Sequence, residues 1–340
     1  MSFGGGERYL VDLTNSLIAR GHDLYVAVRP QSPLPQHLKL PSQKILTLPL
    51  RNALDVQSAH ELDRFVRRQR IEVIHAHMAR DYSLASYAAR RNRETKFIAT
   101  RHVLFELNRL HRHTLARAFR VIAVSAAVAR QLRQQGILRE EQIALVPNGI
   151  DVDRFRNVRK EFDPKDGLLV GSMGEYRPLK RHDDFIRAAA LVAAQFPEAR
   201  FILAGLDLKP LEELILKLGL KERFSFIGWL DHPEQYLGGL DVFVSASETE
   251  SFGLAMAEAM AAGTAVVATR TEGAQELIED QKTGLLVPIG EVDKIAAAVM
   301  ELLAHPDKRR EIAARAKETV NEKFSLKRMV DQIEEIYAAD

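Results

Sequence analysis

The chain has 340 residues, 46% hydrophobic and 28% charged, a composition typical of a soluble globular protein large enough for two domains. It has no cysteine, which excludes a disulfide framework, a thiolate metal site and a thiol nucleophile. The net charge of +2 conceals an asymmetry, because residues 1–157 hold 25 basic and 14 acidic residues and the remainder hold 23 and 32.

Membrane and targeting segments are not evident in the sequence. The longest apolar runs, 188–194 and 261–268, are too short or too interrupted to span a bilayer, and the first residues do not resemble a signal peptide. We therefore expect a cytoplasmic protein whose only membrane contact would be peripheral, at the inner face.

Short apolar runs rich in β-branched residues alternate with helical patterns, such as 7–20 and 84–91, along nearly the whole chain. This alternation predicts parallel sheets with crossover helices, hence an α/β protein with two Rossmann-like domains. The strands predicted in the first half are 24–28, 45–48, 73–76, 97–100, 121–124 and 143–146. Those predicted in the second half are 168–172, 201–204, 224–227, 242–245, 265–268 and 285–287.

A Pro-Asn-Gly turn at 147–149 and a polar stretch through Lys165 separate the two halves. We place the linker at 157–166, which predicts domains at 1–157 and 158–322. The segment 323–340 is expected to form an amphipathic helix that packs back across the domains. Its apolar stripe consists of Leu326, Met329, Val330, Ile333 and Ile336.

The glycines at positions 4–6 have no strand before them, although a doubly wound domain normally opens with a strand that leads into its glycine-rich turn. Either the chain starts late or the first sheet lacks a central strand, so we expect the first strand of the N-terminal domain to be missing. The same observation argues against a nicotinamide-dependent dehydrogenase, because no Gly-x-Gly-x-x-Gly follows a first strand.

The most informative segment is 245–260, which follows an apolar strand and enters a helix. Glu250 is predicted in the strand-to-helix loop and Glu258 two turns into the helix. Gly253 allows close backbone approach, and the free amides of the first helical turn favour an anion. Two isolated glutamates are more often simply solvated, but the preceding strand and the Phe-Gly turn favour a site for sugar hydroxyls, phosphate and a ribose diol.

This segment resembles the E-x7-E signature of retaining glycosyltransferase family 4, which has the GT-B architecture. Further landmarks follow in the family's order: Gly-Gly-Gly-Glu-Arg at 4–8, His-Ala-His at 75–77, Pro-Asn-Gly-Ile-Asp at 147–151, and the segments 174–180, 228–229, 273–276 and 284–287. The resemblance covers essentially the whole chain. It implies two Rossmann-like domains whose parallel sheets face a central cleft.

The resemblance also implies a set of site residues. The implied catalytic residues are His102, Lys180 and Glu250. The implied donor-binding residues are Gly5, Gly6, Arg177, Lys180, Gly228, Trp229, Glu250, Phe252, Gly253, Leu254 and Glu258. In this set Glu258 binds the donor ribose, Glu250 holds the transferred sugar with the 252–254 amides, and Lys180 contacts the diphosphate, whose charge grows in the transition state.

One position departs from the family pattern. The family usually has an arginine five residues before the lysine, and here that position is Glu175. Either Arg177 or Arg181 is then the expected substitute, and a solvated basic helix start is the competing interpretation.

The histidines receive different interpretations. His102 follows the strand 97–100, where the family places a histidine facing the donor sugar. His75 and His77 are predicted on opposite faces of a strand, one facing the cleft and the other packed, because strand side chains alternate. His111 and His113 are expected to be solvated.

The Asp-Val-Asp at 151–153 has the pattern of a metal-binding D-x-D but lies at the linker, so we interpret it as structural and expect no metal. The resemblance implies a retaining, metal-independent glycosyltransferase with no cofactor. Its co-substrate is a nucleotide sugar, expected to be a UDP-sugar, and its product belongs to cell-envelope glycolipid, lipopolysaccharide or polysaccharide synthesis.

The basic first half suggests an anionic lipid or polysaccharide acceptor, or an anionic membrane surface, and no nucleic acid is expected. The candidate residues are Arg109, Arg112, Arg117 and Arg120, for which a solvated surface is the other interpretation. Two functional alternatives stay open: a GT-B enzyme of another type, such as an epimerase or phosphorylase, and a truncated nucleotide-binding protein of low activity.

Overall fold

The computed structural model describes residues 4–107, 109–156, 167–230 and 232–340. The chain divides into two compact units, Met1–Gly149 with Leu326–Asp340, and Ile150–Ser325. The first unit therefore contains both ends of the chain, and the second is one continuous segment. The predicted linker at 157–166 lies outside the described residues, and the change of unit at Gly149 comes before the predicted domain end at 157.

Each of the twelve predicted strands overlaps an observed one. The strands in the described ranges are β1 Val26–Val28, β2 Ile45–Thr47, β3 Val73–Ala76, β4 Lys96–Arg101, β5 Arg120–Ala123, β6 Ile143–Leu145, β7 Leu169–Met173, β8 Arg200–Ala204, β9 Phe224–Ile227, β10 Val242–Ser245, β11 Ala265–Thr269 and β12 Leu285–Val287. The α-helices there are α1 Gly5–Ala19, α2 Val56–Gln69, α3 Tyr82–Arg91, α4 Arg109–Leu115, α5 Ala126–Gln134, α6 His182–Gln195, α7 Glu212–Lys217, α8 Pro233–Gly239, α9 Leu254–Ala262, α10 Glu272–Leu277, α11 Val292–Ala304, α12 Pro306–Lys323 and α13 Leu326–Ala338.

The first unit contains two parallel sheets. One pairs β1 with β2, and the other has the order β3-β4-β5-β6. In the described residues no strand joins β1 to β3. The helices begin at residues suited to that position: Asp55 accepts a hydrogen bond from the Ser58 amide before α2, and Ser125 accepts one from the Val128 amide before α5.

The four-stranded sheet is covered on both faces, as parallel sheets usually are. Side-chain alternation separates the two faces, because Phe97 and Ala99 of β4 belong to one buried cluster while Ile98 between them belongs to another. The second cluster is completed by α1 and α13. Its buried members include Leu13, Leu17, Ile98, Ile122, Met329, Val330 and Ile333. The amphipathic pattern predicted at the C-terminus is therefore a helix that supplies core residues to the first unit.

The second unit has one six-stranded parallel sheet of order β12-β11-β10-β7-β8-β9. From β7 the sheet extends to β8 and then β9 on one side, and β10, β11 and β12 follow in turn on the other side of β7. The strand order therefore reverses between β7 and β10. Two buried clusters cover the two faces, with Phe201 and Leu203 of β8 in one and Ile202 in the other. None of the helices in the described ranges is both long and apolar enough to cross a membrane.

Candidate active site

The reversal of strand order in the second unit places two loops side by side. The loop 174–181 follows β7 and the loop 246–253 follows β10, and these strands are hydrogen-bonded neighbours. In open α/β sheets, ligands bind in the crevice outside the carboxyl ends of the strands at such a point. The amide of Glu248 donates to the carbonyl of Leu179 over 2.8 Å, which connects the two loops.

Lys180 and Glu250 meet at this reversal. The Lys180 Nζ lies 2.6 Å from Glu250 Oε1, and the Ser247 hydroxyl donates to the same oxygen over 2.9 Å. The Lys180 side chain is 31% exposed and that of Glu250 is 15% exposed. The two residues that the family resemblance assigns to the diphosphate and the sugar are thus in direct contact, although they come from separate loops.

The turn into α9 depends on Gly253. Its φ of 95° is in the left-handed region, where a glycine is strongly favoured over other residues. The preceding Phe252 is 2% exposed and packs against the Phe324 ring at a centroid distance of 5.5 Å. The Phe252 side chain therefore belongs to the core, so its backbone is the part available for ligand binding. The Gly273 amide donates to the carbonyl of Glu250 over 2.9 Å and holds the loop in place.

Glu258 lies in the second turn of α9 and is 5% exposed. Its neighbours on the same helix, Ala257 and Ala259, are fully buried. Its position agrees with a role in binding, because a solubilising glutamate would face outwards.

The other cations of the first loop have partners of their own. Arg177 donates from Nε and Nη2 to Glu175 Oε2, at 2.9 and 2.7 Å, and its side chain is 63% exposed. Arg181 donates to Asp184 Oδ2 over 2.6 Å. Of these three cations, Lys180 alone contacts Glu250. Glu175, which stands where the family usually has an arginine, is thus paired with Arg177, one of the two residues expected to replace that arginine.

His182 is a buried residue that the sequence reasoning did not single out. It opens α6, is 3% exposed, and its Nε2 has no hydrogen-bond partner among the described residues. Burial, and secondarily the charge of Lys180, lowers the pKa of His182 to about 4, so it is neutral at pH 7. The only signal in the sequence is its position two residues after Lys180.

Gly228 and Trp229 lie farther along the same edge of the sheet. They follow β9, which is the last strand on its side, two places from β7. The Trp229 side chain is 38% exposed. The structure therefore places them at the carboxyl edge of the same sheet as the other donor-site candidates, two strands away from β7.

The first unit has its own group of polar residues where β3 and β4 end. His102 follows β4, and its ring lies 4.7 Å from that of Tyr9 and 5.8 Å from that of His77. The Tyr9 hydroxyl, His77 Nδ1 and His102 Nε2 are buried and lack hydrogen-bond partners within the described residues. Gly5 and Gly6 form the first turn of α1, the helix that carries Tyr9. This edge thus presents several unsatisfied polar atoms together.

The predicted separation of His75 and His77 is wrong. Their ring centroids lie 4.1 Å apart, because side chains alternate with a period of two, so residues two apart point to the same side of a strand. His75 is held by two hydroxyls, since those of Tyr337 and Thr100 each lie 2.6 Å from one of its ring nitrogens. His75 is therefore fully engaged, whereas His77 and His102 each retain a free ring nitrogen.

These histidines are neutral at pH 7. Burial lowers the pKa of His75 to about 3, and burial together with the charge of Arg101 lowers that of His102 to about 4. Burial and the neighbouring histidines hold the pKa of His77 well below its ordinary value. Neutral imidazoles can donate or accept hydrogen bonds with hydroxyl groups but do not attract anions as cations would.

Two further predictions concern residues away from these loops. Asp153 forms an ion pair with Arg156 at 3.0 Å, and Asp151 precedes the short 3-10 turn Val152–Phe155. His111 is partly withdrawn from solvent, because its ring lies 6.2 Å from that of the buried Tyr82 and burial lowers its pKa. His111 is therefore less solvated than expected, because α4 packs beside α3, whereas His113 is exposed.

Comparison with known proteins gives two family matches that together span most of the chain. Residues 3–154 match the model of Glycosyltransferase Family 4, and residues 153–319 match that of Glycosyl transferases group 1. The lipopolysaccharide core biosynthesis glycosyltransferase LpsE of Rhizobium meliloti is 29% identical over 99% of this chain and 96% of its own length. The N-acetyl-alpha-D-glucosaminyl L-malate synthase of Bacillus anthracis is 27% identical over 83% of this chain and 78% of its own length.

Solved structures share the same architecture. HepE of Anabaena, determined in complex with UDP and glucose, aligns with a TM-score of 0.83 at 23% identity, over 98% of this chain and 96% of its own. At that identity the likeness concerns the fold.

Proposed function

The chain belongs to glycosyltransferase family 4 and has the GT-B fold, and on that premise we propose that it transfers a sugar from a nucleoside-diphosphate sugar to an acceptor hydroxyl with retention of configuration. That it is a glycosyltransferase follows from the family. The donor, the stereochemistry, the independence from metal and the roles of individual residues are our proposals.

The contact between Lys180 and Glu250 at the strand reversal is the observation that carries the proposal. An ammonium and a carboxylate 2.6 Å apart, beside the first turn of α9, provide one group for phosphate and one for sugar hydroxyls. When the donor binds, Lys180 exchanges Glu250 for a phosphate oxygen, and Glu250 becomes free to accept hydrogen bonds from the sugar. The buried Glu258, in the second turn of α9, accepts hydrogen bonds from the ribose hydroxyls.

The reaction needs no protein nucleophile in this scheme. The bond between the anomeric carbon and the diphosphate oxygen breaks, and the acceptor oxygen attacks from the same face. The acceptor proton passes to the departing phosphate oxygen. Lys180 stabilises the charge that develops on the diphosphate more in the transition state than in the ground state. Because this cation is part of the protein, we propose that no metal ion is needed, and turnover unchanged by EDTA is the expected result.

His102 is proposed to act as a neutral hydrogen-bonding group toward the donor sugar. Its Nε2 is buried and has no partner among the described residues, and its depressed pKa keeps the ring uncharged above pH 5. Gly5, Gly6, Gly228 and Trp229 are proposed to line the donor site as the family pattern implies. Arg177 is proposed to leave Glu175 for the diphosphate when donor is present.

The acceptor is proposed to be an anionic lipid or saccharide of the cell envelope. LpsE acts, by its name, in lipopolysaccharide core synthesis, and the Bacillus relative is named as the synthase of an L-malate compound, which is an anion. The basic N-terminal half agrees with such an acceptor. Peripheral membrane contact through exposed arginines, among them Arg109, Arg112 and Arg117, is a further proposal. Loss of sedimentation with anionic vesicles as salt is raised from low ionic strength is its expected signature.

Nucleotide binding gives the first test. Thermal unfolding is measured with UDP, GDP, ADP, CMP and NAD, since a ligand at 100 times its dissociation constant adds about 2.7 kcal/mol of stability. A shift with UDP that disappears in Glu258→Ala supports the donor site, and a shift with NAD alone contradicts it. Hydrolysis of the corresponding UDP-sugar, followed by NMR of the released sugar, then reports the configuration.

A further inference from the structure

Arg101 is a buried arginine that the donor chemistry does not use. It is the last residue of β4 and is 4% exposed. Its Nη2 donates to the carbonyl of Phe105, while its Nε is buried and has no hydrogen-bond partner in the described part of the chain. A guanidinium has five donors in a rigid fork, so this one is only partly satisfied.

The positive charge of Arg101 is not neutralised by neighbouring protein groups. Among the described residues no carboxylate lies within 4.0 Å of its guanidinium. Tyr82 lies beside it, but burial raises the pKa of that phenol to about 12, so the phenol is neutral at pH 7. A buried charge without an opposite partner is strongly unfavourable, which is why such groups usually mark a place for a charged ligand.

Asp81, the acidic residue that directly precedes Tyr82, has other cations beside it. Asp81 follows β3, and the charges that act on its carboxyl are those of Arg80, whose Nε lies 3.8 Å from Oδ1, and of Arg29, which follows β1. Burial raises the pKa of Asp81 to about 6 despite these two arginines. The carboxyl edge of β3 and β4, together with Arg29 at the end of β1, therefore holds three arginines and one carboxylate.

Unsatisfied polar atoms concentrate at this same edge. Nine buried side-chain polar atoms lack a hydrogen-bond partner within the described residues. Five of them belong to residues of this edge, and a sixth belongs to Tyr9 of α1, whose ring lies beside those of His77 and His102. The six atoms are the hydroxyl of Tyr9, Nδ1 of His77, Nε of Arg80, Oδ1 of Asp81, Nε of Arg101 and Nε2 of His102. Because buried polar groups are normally paired, such a concentration indicates a site whose partners come from a ligand.

We propose that Arg101 binds an anionic group of the acceptor, a phosphate monoester or a carboxylate, while the nearby His77, which is neutral, and Tyr9 bind hydroxyl groups of the acceptor. This inference rests on the proposed glycosyltransferase function and assigns the acceptor class: a polyol or saccharide that carries a phosphate or carboxylate near its hydroxyls. The guanidinium fork matches both anions in a bidentate manner, and the buried position excludes competing water.

Anion binding to the purified full chain tests the proposal directly. Calorimetric titration with inorganic phosphate and with malonate, at constant ionic strength, is compared for wild type, Arg101→Met and Arg90→Met. Arg90 is the control because it is an exposed arginine of the same unit, in the last turn of α3. At least a tenfold weakening in Arg101→Met alone, for either anion, is the expected result. Equal binding by the three proteins, or no binding of either anion to wild type, overturns the proposal.

Separate measurements distinguish this failure from failure of the proposed function. UDP binding is measured in the same proteins. If wild type does not bind UDP, the donor proposal is contradicted, whether or not wild type binds phosphate. Lys180→Ala is the control for phosphate that binds at the donor site instead. This variant is expected to retain the phosphate binding that depends on Arg101. Loss of phosphate binding in Lys180→Ala, with retention in Arg101→Met, overturns the proposal.

Two further arms cover the source of the anion and a variant that does not fold. Glycerol 3-phosphate represents a free acceptor, and vesicles of phosphatidic acid represent an acceptor carried by a lipid. Binding of either one that depends on Arg101 supports the proposal and identifies the source of the anion. The proposal is overturned if neither one binds. If Arg101→Met does not fold, hydrogen exchange of wild type serves instead. Phosphate is expected to protect the amides of 102–107, and unchanged exchange there overturns the proposal.

Discussion

Substitution of Lys180 by methionine is expected to separate stability from catalysis. The gross Coulomb attraction between Lys180 and Glu250 at 2.6 Å is about 6 kcal/mol at an effective dielectric constant of about 20. Desolvation and solvent screening offset most of this attraction, because the side chains of Lys180 and Glu250 are 31% and 15% exposed. The substitution is therefore expected to lower the free energy of unfolding by about 1 kcal/mol or less. Removing a fixed donor aimed at charge that develops in the transition state lowers turnover about 10²- to 10³-fold, or about 3–4 kcal/mol.

The assay for this prediction follows release of the nucleoside diphosphate at saturating donor, together with the urea unfolding midpoint. Lys282→Met is the matched control, because Lys282 forms an ion pair with Glu279 in the same unit but is 60% exposed and lies away from the strand reversal. The control is expected to keep both turnover and stability. Turnover in Lys180→Met within threefold of wild type would refute the role of the ammonium.

Three more predictions concern pH, a turn and a buried hydrogen bond. The pKa of His102 is about 4 in the folded chain and about 6.5 in the unfolded chain. As the pH falls from 6.5 towards 4, protonation of this residue in the unfolded state should therefore cost wild type about 1.4 kcal/mol of stability per pH unit. Urea titrations should show a smaller loss in His102→Gln, and equal losses in the two proteins would contradict the assignment. Gly253→Ala should lower the free energy of unfolding by about 1–2 kcal/mol and weaken UDP binding, because φ at this residue is 95°. Gly238→Ala in α8, which has open space at its Cβ, should be neutral or slightly stabilising in thermal unfolding. Similar losses in both variants would refute the strain argument. Tyr337→Phe leaves a buried nitrogen of His75 unpaired and should lower stability by about 1–3 kcal/mol, which an unchanged unfolding midpoint would exclude.

The strands were the most predictable part of the fold. Runs such as 242–245 and 265–268 combine β-branched residues with flanking turns, and each became a strand of the second sheet. The order of the strands was not predictable, because nothing local in the sequence indicates that β10 lies beside β7. That order is what brings Lys180 to Glu250, so the sequence alone could assign both to a donor site only through the family resemblance.

The residues that sequence reasoning missed are those whose importance depends on burial. Arg101 is one of 25 basic residues in the first half, and no spacing distinguishes it from the exposed ones. His182 is likewise inconspicuous next to Lys180. The separation of His75 and His77 was mistaken because side chains two residues apart on a strand share a face, which brings the two rings together.

The return of α13 to the first unit has a consequence for biosynthesis. The ribosome makes the 176 residues of Ile150–Ser325 between Gly149 and the helix that completes the core around Ile98, which at about 5–20 residues per second takes roughly 10–35 s. During this interval the nascent N-terminal sheet lacks Met329, Val330 and Ile333 on one face, while the uninterrupted second unit has all of its own residues as soon as it emerges. Folding in the cell is therefore expected to finish in the reverse of sequence order, and slow translation of the last third of the message would lengthen the period in which the early segment depends on chaperones.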